Sequence, residues 1–434
     1  MKRILYEKLL DWKRDSNRKP LLLQGARQVG KTYLINQFGN TEYSNLVYLN
    51  FEQNPNLSTF FKDDLQPARI IENIGLYLGQ AIQAENTLIF FDEIQTDPKV
   101  LISLKYFYES APEYHIIAAG SLLGVSMGKK NSFPVGKVNF MMMYPMNFSE
   151  YLLAFGEEML LNKLNTMDVC DPLPEVLHQK LIAHQKMYLY LGGMPEVLQS
   201  YLTKKDIAAA RKIQEEILQA YARDFSKYTD QSQAIKTAEL WQTISAQLAR
   251  ERKKFKYSDV RPGARASTYQ QTIEWLKSAG LVNLAYQIST PKIPLSGYAD
   301  HSKFKVFLLD TGLLGAMLKI ESEIILKPTA LFQDYNGAFI ENFVASELVA
   351  SGYNELFYWA SKSAAEVDFI VQNGESIYPL EVKSGLSKNK KSLISYNEKY
   401  SPKLLFRCSP RNFTCDGHFI NLPLYAAFLI RRQP

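Results

Sequence analysis

The sequence predicts a multidomain α/β protein, and three observations lead to that class. The chain has 434 residues, more than one ordinary domain needs. Its first third contains three apolar runs of the kind that form buried parallel strands. Near its C-terminus, residues 365–371 and 377–383 read as two alternating strands, and the hairpin signal Asn373-Gly374-Glu375 joins them.

A glycine-rich loop follows the first apolar run. Its eight residues are Gly25, Ala26, Arg27, Gln28, Val29, Gly30, Lys31 and Thr32. The two terminal glycines let the backbone wrap around an anion, so that successive N–H groups point at phosphate oxygens. Lys31 places a positive charge at the outer phosphates and counts among the candidate catalytic residues, whereas the hydroxyl of Thr32 can coordinate magnesium. The loop therefore predicts a site for ATP with Mg²⁺.

The second apolar run, residues 87–91, ends in Asp92 and Glu93. Because ligands of parallel sheets sit at the carboxyl ends of the strands, we expect both carboxylates beside the phosphates. Asp92 is expected to hold the magnesium, and Glu93 to polarise the attacking water, the step that separates hydrolysis from binding. The third run ends in Ser121, which could contact the γ-phosphate or that water, although a Gly-Ser pair is also an ordinary turn.

The order of these elements resembles that of the AAA-type P-loop ATPases. It is a strand, the glycine-rich loop, the strand that ends in Asp-Glu, and the strand that ends in Gly-Ser. Residues 144–151, 190–196 and 221–224 are similar to segments of a large bacterial and archaeal group of poorly characterised ATP-binding proteins. Members of that group regularly carry a C-terminal domain of unknown function. The resemblance implies a homo-oligomer in which an arginine reaches the neighbouring subunit's γ-phosphate. Lys137 stands where that arginine is expected, and a lysine cannot form the bidentate fork.

Composition narrows the class of protein. The chain is 46% hydrophobic and 22% charged, which is typical of globular proteins. No stretch approaches about 18 uninterrupted apolar residues, so we expect no membrane span. Cys170, Cys408 and Cys415 are scattered and make neither a disulfide framework nor a zinc pattern, which predicts a reduced, cytoplasmic protein. The net charge of +6 is too small to prove nucleic-acid binding by itself.

We expect the chain to fold in four parts. Residues 1–155 are assigned to the ATPase core, 156–231 to a helical lid and connector, 232–320 to a winged helix, and 325–434 to a C-terminal restriction-endonuclease-like α/β domain. The second part is dense in Leu, Ala, Gln, Glu and Lys at helical spacing. It fits the lid that usually covers the nucleotide in such ATPases.

The winged-helix assignment depends on the order of elements in residues 232–320. A helix leads to the basic segment 250–256, a second helix covers residues 267–279, and residues 281–286 and 303–310 read as the strands of a β-wing. The basic segment could bind phosphates of a nucleic-acid backbone. Many such modules instead pack against ATPases or partners, and a charge run is usually a solvated face, so both alternatives stay open.

The C-terminal hairpin brings three charged side chains together. With a two-residue turn, Asp368 falls opposite Glu381. Even a register slip of two residues keeps both on one face, because side chains alternate with period two, and Lys383 shares that face. Two carboxylates beside a lysine indicate a catalytic magnesium site, at which the carboxylates hold the metal and the lysine positions water or stabilises charge.

This motif, Asp368 followed by a hairpin and then by Glu381-x-Lys383, is similar to the motif of the restriction-endonuclease-like nucleases of the Asp…Glu-x-Lys kind. In that superfamily an earlier helix often contributes a further glutamate, and the resemblance implies that Glu341 is a further metal ligand and that DNA is the partner. Basic side chains near the C-terminus are expected to form a rim that contacts phosphates. They are Lys388, Lys390, Lys391, Lys399, Lys403, Arg407 and Arg411.

Three functions remain possible on the sequence. The first is an ATP-driven enzyme that acts on DNA, with a C-terminal domain that binds and cleaves it with magnesium. The second is a regulatory or defence switch, in which the ATP state is transmitted to a protein partner. The third is a DNA-binding scaffold whose nuclease-like domain is inactive, since a retained fold does not prove cleavage.

Overall fold

The structure is a computed structural model with two compact units. The residues that it describes are 1–120, 136–229, 231–248, 254–323, 330–361, 365–386 and 390–432. The first unit comprises Met1–Tyr144 with Ser278–Gly280, and the second comprises Pro145–Lys277 with Leu281–Pro434. Ser121, Lys388 and residues 250–253 of the basic segment lie outside the described residues.

The first unit contains a parallel sheet of five strands. The strands are β1 (Leu21–Gln24), β2 (Asn45–Asn50), β3 (Thr87–Asp92), β4 (His115–Gly120) and β5 (Asn139–Met142). Their order across the sheet is β2-β3-β4-β1-β5, and every pairing is parallel. All residues of β3 and β4 are buried, as continuous apolar runs require. The three apolar runs of the sequence are therefore confirmed as strands.

Four α-helices lie in the described part of the first unit. They are α1 (Leu5–Arg14), α2 (Lys31–Glu42), α3 (Pro67–Leu78) and α4 (Pro98–Ser110). The Asp97 carboxylate caps α4 by accepting from the Lys99 N–H, and Pro98 fits the first helical position because its missing N–H would be unpaired there anyway. On one side of the sheet Phe51, Phe61 and Phe91 pack edge to face, with ring centroids 5.7–5.8 Å apart.

Ten α-helices lie in the described part of the second unit. They are α5 (Phe148–Ala154), α6 (Glu158–Thr166), α7 (Glu175–Leu191), α8 (Pro195–Lys204), α9 (Ile207–Tyr228), α10 (Gln231–Leu248), α11 (Ala266–Ser278, whose last residue belongs to the first unit), α12 (Thr311–Met317), α13 (Ala330–Ala350) and α14 (Lys391–Tyr400). Short 3₁₀ turns cover Pro55–Phe61, Ile94–Thr96, Tyr257–Asp259, Leu295–Tyr298 and Leu424–Arg432. None of the described helices is both long and apolar enough to cross a membrane.

Two of the segments that carry the family resemblance meet in the second unit. Asn147 and Glu150 form a capping box at the start of α5. The N–H of Met146 donates to the carbonyl of Gly193 at 2.7 Å, and a Cβ at position 193 would lie 1.9 Å from the Met146 carbonyl oxygen. Only glycine allows this approach of two backbones, which explains the Gly-Gly pair in residues 190–196.

The helices assigned to a lid pack against C-terminal residues within the second unit. The amide of Asn412 donates to the carbonyl of Leu173 at 2.7 Å. His178 Nδ1 lies 2.8 Å from the hydroxyl of Tyr425. Helices α6 to α9 cover most of the described residues of the segment assigned to the lid. Their packing joins them to the C-terminal region, which the predicted boundaries keep apart, and the role of a lid stays a prediction.

An eight-stranded mixed sheet forms the rest of the second unit. Its strands are β6 (Val282–Ile288), β7 (Ala299–Leu308), β8 (Leu356–Ala360), β9 (Glu366–Asn373), β10 (Ser376–Val382), β11 (Leu405–Ser409), β12 (Thr414–Asp416) and β13 (Phe419–Pro423). Their order is β12-β13-β11-β10-β9-β8-β6-β7. The order shows that strands before and after the predicted boundary at 320–325 share one sheet.

The helix–helix–ribbon order expected for a winged helix is present, but the ribbon β6–β7 is not a separate wing. Strand β6 pairs in parallel with β8, from Ala285 opposite Leu356 to Ile288 opposite Trp359. Five of the seven residues of β6 are buried, so both faces of this strand are covered. An isolated wing would leave one face in water. Sequence patterns could not reveal this pairing because parallel partners are joined by long connections.

The cysteine prediction is wrong in one respect. Cys170 and Cys415 form a disulfide although 245 positions separate them in the chain. Cys170 precedes α7 and Cys415 lies on β12, so the fold, and not the spacing, brings them together. Cys408 is buried on β11. The prediction of a reduced, cytoplasmic protein assumed that the cysteines are unpaired. The disulfide removes that assumption, because disulfides are rare in the reducing cytosol.

Candidate functional site

The glycine-rich loop joins β1 to α2 in the first unit. Gly30 has φ 96°, in the left-handed region that favours glycine, and α2 begins at the next residue. A Cβ on Gly25 would lie 2.2 Å from the carbonyl oxygen of Met143, so this position accepts no side chain. Both glycines of the predicted loop are therefore required by the backbone path.

The side chain of Lys31 turns back over the loop. Its ammonium donates to the carbonyls of Gly25 at 3.0 Å and Ala26 at 2.8 Å. Burial lowers the pKa of Lys31 to about 8, although the carboxylates of Glu93 and Asp92 oppose that shift. A phosphate oxygen brought to this ammonium would add the negative charge that favours its protonated form.

Asp92 is the centre of a small polar network at the end of β3. Its Oδ2 accepts from the hydroxyl of Thr32 at 2.9 Å and from that of Tyr48 at 3.1 Å, and its Oδ1 accepts from the Glu93 N–H at 3.0 Å. Burial raises the pKa of Asp92. A hydroxyl and a carboxylate at this separation match the oxygen ligands that Mg²⁺ prefers, so these residues fit a magnesium ion.

Glu93 has an unusual backbone conformation. Its φ is 55°, in the left-handed region, and the turn Ile94–Thr96 begins directly after it. The amide of Gln95 donates to Glu93 Oε2 at 2.5 Å, and the Thr96 hydroxyl donates to the Glu93 carbonyl at 2.9 Å. A non-glycine residue held in this conformation is frequent at functional sites. Sequence reasoning identified Glu93 but missed Tyr48 and Gln95, for which no motif gives a signal.

Arg27 of the loop and Lys137, which precedes β5, have acidic partners within the first unit. Arg27 lies 3.3 Å from Glu52, and Lys137 lies 3.0 Å from Glu109. The role of Lys137 towards a neighbouring subunit stays a prediction. The predicted contact of Ser121 with the γ-phosphate falls outside the residues that the structure describes.

The register of the C-terminal hairpin agrees with the prediction. Asn373 pairs with Ser376 and Phe369 with Leu380, so the next pair in this register is Asp368 with Glu381. Asp368 Oδ2 accepts from the N–H of Val382 at 2.8 Å. The ammonium of Lys383 lies 3.1 Å from Glu381 Oε1. The catalytic role of these three side chains stays a prediction.

A lysine that sequence reasoning missed lies among the predicted ligands. Lys305, on β7, is only 1% exposed, and its ammonium lies 2.5 Å from Glu366, 3.6 Å from Asp368 and 3.7 Å from Glu341. Burial lowers the pKa of this ammonium, but the three carboxylates outweigh that effect and raise it above its ordinary value. The available signal was a lysine placed between Phe304 and Val306 on β7.

Arg407 is a correction to the predicted basic rim. Its side chain is 2% exposed, and Nη2 and Nε donate to Glu381 Oε2 at 3.1 and 3.3 Å. Every residue of β11 is buried, so the side chain of Arg407 is not accessible to phosphates. Lys391, Lys399 and Lys403 are exposed, as the rim requires.

The geometry of this cluster does not fit a divalent metal ion. Of the three predicted ligands, Glu341 and Asp368 face the ammonium of Lys305, and Glu381 is paired with two other cations. Among the residues that the structure describes, no three His, Cys, Asp or Glu side chains are grouped so as to hold a metal. The oxygen atoms that would bind Mg²⁺ already have cationic partners inside the protein.

Family models match three segments of the chain. Residues 17–152 match a model described as an AAA domain. Residues 182–324 and 336–426 match two models described as domains of unknown function, DUF8612 and DUF4143. A curated relative, an uncharacterized protein of Methanocaldococcus jannaschii, is 26% identical over 213 residues, which is 45% of this chain. The match spans only 42% of that relative's length.

Solved structures show weak likenesses over most of the chain. A Walker-type ATPase of Pyrococcus abyssi is 15% identical with a TM-score of 0.44, over 73% of this chain and 95% of its own. The Orc1 protein of Aeropyrum pernix in complex with DNA is 13% identical with a TM-score of 0.27, over 73% and 90%. AMPPCP-bound DnaA from Aquifex aeolicus is 15% identical with a TM-score of 0.25, over 63% and 87%. Residues 17–152 are thus similar to an AAA domain, and the strand order and the loop geometry agree with that match.

Proposed function

We propose that this protein binds ATP with Mg²⁺ and hydrolyses it. The observation that carries the proposal is the contact of 2.9 Å between the Thr32 hydroxyl and the Asp92 carboxylate, with Glu93 next in the chain. It joins the glycine-rich loop to the acidic end of β3, which lie 60 residues apart. A loop that only bound an anion would not need this second partner.

Each residue of the site has a separate task in this proposal. The loop N–H groups and the ammonium of Lys31 bind the phosphate oxygens. Thr32 and Asp92 hold the magnesium, which when bound draws charge from the phosphates. Glu93 orients the attacking water and accepts its proton, and Gln95 and the strained backbone keep the Glu93 carboxylate in position.

We further propose that ATP hydrolysis serves an action on DNA. Exposed lysines of the second unit support this proposal, since each can contact a phosphate of the nucleic acid backbone. They are Lys254, Lys256, Lys391, Lys399 and Lys403. The proposal extends to a homo-oligomer, in which ATP sites of different subunits would work together.

Of the alternatives for the C-terminal region, the geometry favours the one that holds DNA without cutting it. Lys305 and Arg407 are buried partners of the carboxylates that a metal-dependent nuclease would need for its metal. A nuclease reaction requires those oxygen atoms for a cation that activates water. We therefore propose a DNA-binding role for this region and no cleavage.

The test is the ATPase rate of the purified protein with and without duplex, single-stranded and branched DNA. We expect at least one DNA to change the rate, and the double variant Lys399→Glu/Lys403→Glu to weaken that effect. Lys163→Glu, an exposed charge reversal on α6, is the matched control. Hydrolysis that no DNA alters, together with no DNA binding at low salt, would reject the DNA proposal and favour the switch that acts on a protein partner.

A further inference from the structure

We propose that the ammonium of Lys305 takes the place of a divalent cation in the C-terminal carboxylate cluster, which makes the cluster a metal-free ionic centre. The cluster is defined as Glu341, Glu366, Asp368, Glu381, Lys305, Lys383 and Arg407. This inference concerns the second unit only and does not depend on ATP hydrolysis or on DNA binding.

The position of Lys305 is the first argument. Its ammonium lies within 3.7 Å of carboxylate oxygens from Glu341 on helix α13 and from Glu366 and Asp368 on strand β9, which β6 and β8 separate from β7 in the sheet. A magnesium ion at the same point would need oxygen atoms at about 2.1 Å. The ammonium of Lys305 and a magnesium ion therefore cannot both lie among these carboxylates.

The burial of Lys305 is the second argument. The side chain is 1% exposed, and its strand is held in register with β6 by Lys305 opposite Ala285 and Val306 opposite Leu284. Phe304 and Phe307 beside it are also buried. The ammonium cannot leave the cluster by a simple rotation into water, as an exposed lysine could, because buried neighbours surround it.

The balance of charge is the third argument. Four carboxylates face three cations, Lys305, Lys383 and Arg407, so the cluster carries one excess negative charge. Glu366 and Lys383 reach the surface, with side chains 45% and 36% exposed. The side chains of Lys305, Glu381 and Arg407 are only 1–2% exposed, and charges so deeply buried are stable only when they are paired. Without Lys305 the excess would be two negative charges, which is the charge that one divalent cation neutralises.

Mn²⁺ binding to the nucleotide-free, full-length protein tests the inference, with the ion followed by electron paramagnetic resonance and by thermal shift. The variant Lys305→Met keeps the length of the side chain and removes its charge. We expect it to gain one Mn²⁺ site, with an affinity at least about tenfold above that of the parent at this cluster. The gain should disappear in Lys305→Met/Asp368→Asn.

Lys303→Met is the matched control, because Lys303 lies two residues earlier on β7 and its side chain is 43% exposed. It should bind Mn²⁺ as the parent does. Mn²⁺ could also bind at Thr32 and Asp92. The Mn²⁺ binding of each variant is therefore compared with that of the same variant carrying Asp368→Asn, because the difference contains no contribution from Thr32 and Asp92.

Two results would overturn the inference. One is Mn²⁺ binding by the parent protein that Asp368→Asn abolishes, since a metal would then coexist with Lys305. The other is a folded Lys305→Met that gains no site. If Lys305→Met does not fold in buffer, recovery of folding in Mn²⁺ supports the inference. If folding does not recover, the parent is compared with Asp368→Asn, and equal Mn²⁺ binding by these two proteins supports the inference.

Discussion

The carboxyl group of Glu347, on α13, accepts a hydrogen bond from the backbone N–H of Phe148 at 2.8 Å. Phe148 is the first residue of α5, whose own first turn contains Glu150. Glu347 is 1% exposed, and burial raises its pKa to about 8, although the hydrogen bond from the Phe148 N–H opposes that shift. The contact thus ties two distant segments of the second unit through a carboxyl group that stays protonated at neutral pH.

The stability of the protein should therefore fall as the pH rises. Between the ordinary pKa of a glutamate and about 8, the folded state keeps a proton at Glu347 that the unfolded state releases, so unfolding becomes more favourable with pH across that window. Glu347→Gln should flatten this slope and unfold less readily than the parent at pH 9, by a few kcal/mol. Denaturant unfolding at pH 5, 7 and 9 measures it.

The exposed substitution Glu355→Gln is the control for that experiment. It should leave the pH dependence of the unfolding free energy as in the parent. A Glu347→Gln protein whose stability follows the same pH curve as the parent would show that Glu347 ionises normally in the folded state.

Lys31→Ala should weaken ATP binding at least about tenfold, because it removes a charge-assisted contact with the outer phosphates. The loop carbonyls of Gly25 and Ala26 would lose only a local partner. Titration with a fluorescent ATP analogue measures the affinity, and Lys8→Ala, an exposed lysine of α1, serves as the control. Equal affinity in Lys31→Ala and the parent contradicts the assignment of the phosphate site.

Glu93→Gln should separate binding from turnover. Thr32 and Asp92 keep the magnesium, so ATP still binds, whereas the rate of hydrolysis falls by about 10²-fold or more because the base is lost. Steady-state hydrolysis and nucleotide affinity, measured on one preparation, give the two quantities. Parental turnover in this variant would show that another group activates the water.

Tyr48→Phe tests a residue that only the structure reveals. The hydroxyl of Tyr48 donates to Asp92 at 3.1 Å, and one such hydrogen bond is worth about 0.5–1.5 kcal/mol. We expect the Mg²⁺ concentration for half-maximal hydrolysis to rise about 2- to 10-fold, with the maximal rate nearly retained. Tyr33→Phe, on the exposed side of α2, is the control. An unchanged Mg²⁺ requirement would mean that Tyr48 does not orient Asp92.

The ATP site was predictable because its parts are local in sequence. One loop supplies the phosphate ligands, and the carboxylates follow a continuous apolar strand whose end position is set by the sheet. The hairpin register was predictable for a similar reason, since a two-residue turn leaves one pairing for Asp368 and Glu381.

The partners of the C-terminal carboxylates were not predictable in the same way. Lys305 belongs to a ribbon that the sequence assigns to a winged helix, and only the parallel pairing of β6 with β8 brings it to Asp368. The disulfide between Cys170 and Cys415 has the same cause. Pairings between distant segments leave no local pattern, because they depend on packing of the whole unit.

The pair of Arg407 and Glu381 gives the last prediction. Both side chains are 2% exposed, and removing one partner leaves a buried charge, so Arg407→Met should destabilise the protein by about 3–5 kcal/mol. Glu381→Gln should also be destabilising. The double variant should cost less than the sum of the single variants, with a coupling of about 0.5–3 kcal/mol. Denaturant unfolding of the four proteins measures this, and Lys403→Met is the exposed control. If Arg407 instead served the phosphate rim, Arg407→Met would keep the parental stability and weaken DNA binding, which would restore the prediction made from the sequence.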